Sequence, residues 1–299
     1  MTAIERALSL ARAAARECDL DVDDATLLRE GISILITLPA AGAIARVELP
    51  NHQFVARRLV TLARVFARGR SPTARLIEPE RQPWTFEAGT VTLWRWLDGA
   101  PAGLGDYEAI GASVRRLHES TRALLDEPGP PSLDPFVAFA VWLGELEHDG
   151  YDRARLAGLR EHVRTLERVW RQRPNDPLGD ALVHGDVHHG NVILTAAGPT
   201  FVDLEFGGVG PASWDFATLA TAVRRYGVAS AVFDAFARGY GFDPRGSVLL
   251  ELCQSVYEFL AILWAARCRR RSPQFAAEAE RRVTTLLAGA GDARPWEVL

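Results

Sequence analysis

The stretch His184-Gly185-Asp186-Val187-His188-His189-Gly190-Asn191 sets an amide side chain five residues after an aspartate. Twelve residues after Asn191 comes a second aspartate, in Phe201-Val202-Asp203-Leu204-Glu205. Gly210-Pro211-Ala212-Ser213-Trp214-Asp215 then closes the set. Transfer of a phosphoryl group from a metal nucleotide needs such groups. One carboxylate orients and deprotonates a hydroxyl, and a carboxylate with an amide oxygen holds magnesium. A lone His-Gly-Asp carries little information. The ordered set, with apolar strand-like runs between its members, is far more specific.

Elements must position these groups, and the chain is long enough to supply them. Its 299 residues, 48% hydrophobic and 24% charged, suffice for one large core or two lobes. Ala3 to Glu17 has the period of an amphipathic helix, with Ile4, Leu8 and Ala11 on one face. Ala25–Leu28, Ile32–Leu38 and Ala43–Leu49 are β-type runs, the last two separated by the turn-prone Pro39-Ala40-Ala41-Gly42. Gln53 to Ala67 is helical, and Arg75–Ile77 and Thr90–Leu97 are further strands. Asp98 to Gly103 breaks the pattern like a linker. From Asp106 the chain turns mainly helical: Tyr107–Leu125, ended by the proline-rich 128–131, then Pro135–Glu147 and Arg153–Arg171. Short strands surround the motif at Ala181–Val183, Val192–Leu194 and Thr200–Val202. Helices resume at Trp214–Arg224, Ala229–Tyr240, Val248–Arg269 and Gln274–Leu287. The expected fold class is α+β, with a small strand-rich lobe over residues 1–98 and a larger helical lobe over 99–299.

Composition narrows the context. A formal charge of −4, with arginines dispersed among acids, gives no reason to invoke nucleic acid. Cys18, Cys253 and Cys268 are too scattered for a disulfide scaffold or a zinc site. The N-terminal segment is interrupted by Glu5, Arg6, Arg12 and Arg16, unlike a signal peptide. The apolar run Ser247–Cys268 contains Glu251 and Glu258, which argues against a membrane span. A cytoplasmic protein, monomeric or homodimeric, is expected. The chain has no lysine, so any phosphate contact falls to arginine, backbone N–H groups or a metal.

The set His184-Gly185-Asp186, Asn191, Asp203 and Trp214-Asp215-Phe216-Ala217 resembles the aminoglycoside phosphotransferase/choline kinase-like family. The lobe order agrees over almost the whole chain. The resemblance implies a bilobal protein-kinase-like fold, with an antiparallel-sheet N-lobe and a mainly helical C-lobe. It also implies Mg2+ as cofactor, ATP or GTP as donor and a small-molecule hydroxyl as acceptor, most simply an antibiotic or an antibiotic precursor. Carried over by position, Asp186 is the catalytic base, while Asn191 and Asp203 are the metal ligands. Asp215 and His184 brace the catalytic loop. Glu205 is either an assistant at the metal, pointing with Asp203 along an extended segment, or a solvated loop carboxylate.

On the nucleotide side, Arg46 in Ile44-Ala45-Arg46-Val47 stands where the family carries its phosphate-contacting cation. In kinase-like folds that cation usually pairs with a glutamate on the following helix. Here Asn51 to Leu76 contains no acidic residue. Arg46 must then be oriented by Glu30, Glu48, Glu205 or the nucleotide itself. Ser33 lies in a loop placed to cover phosphates. Thr92–Leu97, which contains Trp94 and Trp96, would be the hinge strand whose backbone reads the purine edge; the alternative for the two tryptophans is core or substrate-side packing.

On the acceptor side, Glu251, Gln254 and Glu258 recur at helical spacing. Burial of such a stripe is costly, so it should face solvent or a cleft. Glu251 and Glu258, with Trp142 and Tyr257, are the candidate acceptor contacts. Two rivals can be weighed. A dinuclear hydrolase needs more histidines, and none follows His189. A non-catalytic nucleotide binder has little need for Asp186, Asn191 and Asp203 together. A kinase of a metabolic alcohol is the other alternative.

Overall fold

The computed structural model describes residues 1–49, 53–127, 129–289 and 295–299. Helix α1 (Ala3–Arg16) opens the chain and is capped by Thr2, whose side chain accepts from Glu5 N–H. Strands β1 (Thr26–Glu30), β2 (Ile34–Leu38), β3 (Ala43–Glu48), β4 (Trp84–Phe86) and β5 (Gly89–Arg95) form an antiparallel sheet in the order β1-β2-β3-β5-β4. Alternation along the strands sorts the side chains. Ile34, Ile36, Leu38, Ala43, Ala45, Val47, Val91 and Leu93 are buried against Ala7, Ala11 and Ala14 of α1, whose small side chains let the helix lie close. The intervening residues face away from α1, toward the rest of the chain. Among them are Arg46, opposite Leu35 and Thr92, and Glu48, opposite Thr90.

Helix α2 (Gln53–Arg68) follows β3 in the chain but packs with the helical half. Its Leu59, Leu62, Ala63 and Phe66 share a core with Leu182, Val187, Phe201, Leu204 and Phe216. Arg58 reinforces this docking, donating from Nη2 to the Gly207 carbonyl at 2.6 Å and to the Ser132 carbonyl at 3.0 Å. Burial lowers the pKa of the Arg58 guanidinium, an effect that Asp134 only partly offsets.

The helical lobe contains α3 (Tyr107–Thr121), α4 (Pro135–His148), α5 (Arg153–Arg171), α6 (Trp214–Arg225), α7 (Ser230–Tyr240), α8 (Val248–Cys268) and α9 (Pro273–Leu287). By length and apolarity alone α8 could cross a membrane, yet most of it is buried inside the protein. Its Cys253, Val256, Phe259 and Leu263 join Phe139, Trp214 and Val283 in the main core. Five short strands complete the lobe: β6 (Gly99–Pro101), β7 (Asp180–Val183), β8 (Val192–Thr195), β9 (Gly198–Phe201) and β10 (Gly208–Pro211). They form two small sheets, β6-β8-β9 and β10-β7.

The bilobal kinase-like architecture is the one expected, with local corrections. Asp98 to Gly103 is not merely a linker: Gly99–Pro101 pairs with β8. Arg75–Ile77 makes a single bridge, Leu76 to Trp94, rather than a strand. Pro128, where the proline-rich stop begins, lies outside the described residues.

Candidate active site

The loop His184–Asn191 leaves β7, and the segment Asp203–Gly207 leads into β10, so the β7–β10 pairing brings both to one place. Gly185 is needed where they meet. Its φ is +90°, and a Cβ there would lie 2.2 Å from the Phe206 carbonyl oxygen. Gly185→Ala therefore combines a strained backbone with a clash against main chain. It should cost more than about 2 kcal/mol of stability, measurable by urea denaturation.

Asp215, fully buried at the start of α6, braces the loop. Its Oδ2 accepts from His184 N–H at 2.9 Å and its Oδ1 from Gly185 N–H at 2.8 Å. His118 Nε2 lies 2.9 Å from the same carboxylate, and His118 Nδ1 is 3.0 Å from the Tyr240 hydroxyl. Trp214 Nε1 donates to the Gly185 carbonyl at 2.9 Å. His184 ties the two segments together. Its Nδ1 accepts from Asp186 N–H at 3.2 Å, and its Nε2 donates to the Val202 carbonyl at 2.8 Å. The structural roles expected of His184 and Asp215 agree with these bonds.

Asp186 is surrounded by donors. Tyr257 gives its hydroxyl proton to Oδ1 at 2.6 Å, and Asn191 Nδ2 donates to Oδ2 at 3.1 Å. His188 Nε2 lies 3.5 Å from Oδ2. Burial pushes the Asp186 carboxyl up, but His188, the Tyr257 hydrogen bond and His184 outweigh it and hold it at about 2. Asp186 is therefore an anion at neutral pH. For His188, burial works downward and the neighbouring Asp186 more than reverses it. Tyr257 is pushed well upward by burial and by Asp186, so its hydroxyl remains a donor.

The β8–β9 hairpin sets the two metal-ligand candidates. Val192 pairs with Phe201, and one step further Val202 N–H donates to the Asn191 carbonyl at 2.9 Å. Asn191 and Asp203 thus leave the same end of one hairpin. Asp203 has φ +61°, a left-handed conformation uncommon for a non-glycine residue and of the kind that concentrates at functional sites. Asn191 commits its Nδ2 to Asp186, which leaves Oδ1 as the acceptor. Asp203 gives one oxygen to Arg46 and retains the other.

Arg46 joins the lobes. Its Nη1 contacts Asp203 Oδ1 at 2.6 Å, its Nη2 lies 3.2 Å from Glu48, and Nη2 also donates to Glu205. Burial alone would lower the Arg46 pKa, but Glu205, Asp203 and Glu48 raise it, so the cation is permanent. The Glu205 carboxyl is raised, chiefly by burial, with Arg46 opposing. Glu205 is not in the extended segment expected of it: Leu204–Phe206 is a 3-10 turn, and the turn carries Glu205 back to Arg46. It is half-buried and paired rather than a solvated loop carboxylate. Three carboxylates around one guanidinium leave surplus negative charge. With the hard oxygens of Asn191 and Asp203, that charge would suit a divalent cation, which those two residues would hold. Among the described residues, no three His, Cys, Asp or Glu side chains form a self-sufficient metal cage.

Several candidate contacts move. The hinge N–H groups of Arg95 and Trp96 already donate to the Arg75 and Gly42 carbonyls, at 2.8 Å each, so neither can read a purine edge. Trp94 is half-buried, with Nε1 on Thr92 Oγ1 at 2.9 Å, on the sheet face that carries Arg46. Trp96 is exposed and lines a separate cavity with Arg70, Arg75 and Arg116. Ser33 is buried next to the Ile34–Val47 pair, at the Glu48 end of the sheet.

The acidic stripe on α8 does not face solvent as a unit. Glu251 is exposed, whereas Gln254 and Glu258 are buried. Glu258 is held by Arg225 at 2.7 Å and accepts from Gln254 at 3.2 Å, which offsets the cost of its burial. Glu251 and Glu258 therefore do not form an acceptor-binding pair. Trp142 is buried against Phe206, beneath the Asp203–Gly207 segment. Of the four acceptor candidates, Tyr257 alone contacts Asp186. The sequence motifs gave no sign of that contact, or of Arg58 and His118, because each acts across a long stretch of chain.

The sequence model of a phosphotransferase enzyme family matches residues 41–249. No curated protein is significantly similar in sequence. The fold is similar to that of amicoumacin kinase hAmiN, solved with AMP-PNP, Ca2+ and Ami, with 14% identity, a TM-score of 0.73, and coverage of 99% of this chain and 98% of that one. It is similar to a microcompartment-associated aminopropanol kinase, with 18% identity, a TM-score of 0.68, and coverage of 94% and 95%. It is similar to the aminoglycoside phosphotransferase APH(3'')-Id from Streptomyces rimosus, with 19% identity, a TM-score of 0.62, and coverage of 88% and 99%.

Proposed function

The chain belongs to the phosphotransferase enzyme family, and from that premise we propose that it moves the γ-phosphoryl group of ATP or GTP to a hydroxyl of a small molecule. The observation that carries this reading is the ionised Asp186, held beside Asn191 with Asp203 at the same hairpin end. An acceptor hydroxyl hydrogen-bonded to Asp186 would be aligned toward the γ-phosphorus. With its carboxyl near 2, Asp186 is a weak base in the ground state. It suits a loose transition state, in which the hydroxyl proton leaves late and alignment matters most. Asn191 and Asp203 would hold Mg2+, which when bound neutralises charge developing on the phosphate oxygens. Arg46 would anchor phosphates with its planar fork.

Tyr257 fixes the Asp186 carboxylate by a direct hydrogen bond. Tyr257→Phe should lower kcat by about tenfold, with little change in nucleotide KM, since a bond to a charged group is lost while the ring packing stays. Steady-state kinetics with each substrate varied would check this.

For the acceptor, we favour an antibiotic or an antibiotic precursor, in a resistance or biosynthetic role. The family resemblance and the likeness to amicoumacin kinase support that class. The likeness to aminopropanol kinase supports the alternative, a metabolic alcohol. Charge balance refines the choice. Glu145 is paired with Arg267 and Glu258 with Arg225, so α4 and α8 offer little uncompensated acid to a polycation. An acceptor with few positive charges fits better than a heavily aminated one. Mass spectrometry of a mixed acceptor library, incubated with Mg2+ and either nucleotide, tests the reading. A phosphorylated product that needs the intact enzyme is expected. Nucleotide binding without any product would favour a non-catalytic binder.

A further inference from the structure

Arg46 presents a physical problem. Its side chain is only 10% exposed, and a buried guanidinium must be paired. The helix that would supply a glutamate in a kinase-like fold has none, and α2 instead turns Arg58 toward the Gly207 and Ser132 carbonyls. The pairing comes from elsewhere, and its three carboxylates are not equivalent. Asp203 and Glu205 belong to the segment that would face the metal, so their oxygens have competing work. Glu48 belongs to β3 itself. It stands two residues from Arg46, on the same face of the strand, buried, with its Oε1 3.2 Å from Nη2. The β3 backbone is fixed on both sides, by Leu35 of β2 and Thr92 of β5 across from Arg46 and by Thr90 of β5 across from Glu48. Glu48 therefore keeps its place relative to Arg46 however the Asp203–Gly207 segment or α2 moves.

We propose that Glu48 is the positioning residue of the nucleotide site: it holds Arg46 toward the phosphates from within the same strand, replacing the helix glutamate. The proposal rests on the phosphoryl-transfer reading only in taking phosphate as the group Arg46 meets.

Equilibrium binding of a non-hydrolysable nucleotide with Mg2+ tests this without any acceptor. Glu48→Gln should weaken binding roughly tenfold or more, as expected when a charge-assisted partner is lost. The effect should vanish in an Arg46→Gln background, because the two residues act as one unit. A merely structural role would instead lower thermal stability and add independently to Arg46→Gln. Should Glu48→Gln fail to fold, Glu48→Asp keeps the charge but shortens its reach, and it too should weaken binding. Wild-type affinity in a folded Glu48 variant, or additivity with Arg46→Gln, would overturn the proposal. If wild type binds nucleotide but never transfers phosphate, the catalytic reading fails, while the comparison between variants still decides the role of Glu48.

Discussion

Asp186→Asn should lower kcat roughly 10²- to 10⁴-fold, the range for loss of a positioned acid–base group. Nucleotide affinity and fold should change little. The substitution is nearly isosteric and removes one negative charge. Tyr257, Asn191 and His188 all aim donors at this carboxylate. An amide nitrogen in place of one oxygen would set donor against donor on that side, so the acceptor hydroxyl loses the group that aligns it. Rates under saturating nucleotide, with circular dichroism to check the fold, provide the measurement. An equal loss of kcat and kcat/KM for the acceptor would mark an interaction made in the transition state.

Asp203→Asn should be the second large loss, about 10²- to 10³-fold in kcat, comparable to deleting one preorganised electrostatic contact. Its signature differs. Asp203 is read both as a metal ligand and as a partner of Arg46 at 2.6 Å. Its neutralisation should raise the Mg2+ concentration needed for half-maximal rate, and weaken nucleotide binding, because both phosphate-anchoring groups are disturbed. Initial rates across a magnesium titration would separate this pattern from that of Asp186→Asn, which should leave the metal requirement in place.

The meeting of Asp186, Asn191 and Asp203 was legible in the sequence because the three lie close together along the chain. Asp186, Asn191 and Asp203 fall on one loop and one hairpin, and the apolar residues between them must form the strands that join them. The alternation of Ile34, Ile36 and Leu38, and of Ala43, Ala45 and Val47, likewise specified the N-lobe sheet. The contacts that complete the site were not legible. Tyr257, His118 and Arg58 reach Asp186, Asp215 and the Gly207 carbonyl from distant helices, and no spacing records such meetings. The α8 stripe misled because helical spacing shows which residues share a face, not whether an arginine such as Arg225 waits to neutralise it. Short strands rich in glycine and proline, such as Gly99–Pro101 and Gly208–Pro211, read as loops because a partner strand, not local propensity, makes them extend.

The missing helix glutamate has a physical resolution as well. Arginine carries five donors that can engage several carboxylates at once, as Arg46 does with Glu48, Asp203 and Glu205.

The most direct test of phosphoryl transfer follows the phosphorus itself. The protein is incubated with Mg2+, γ-labelled ATP or GTP and an acceptor panel, and the products are separated from nucleotide and inorganic phosphate. Label in an organic phosphomonoester, dependent on acceptor and absent with Asp186→Asn, is the predicted result. Label that remains in the nucleotide, or appears only as inorganic phosphate whatever the acceptor, would contradict it.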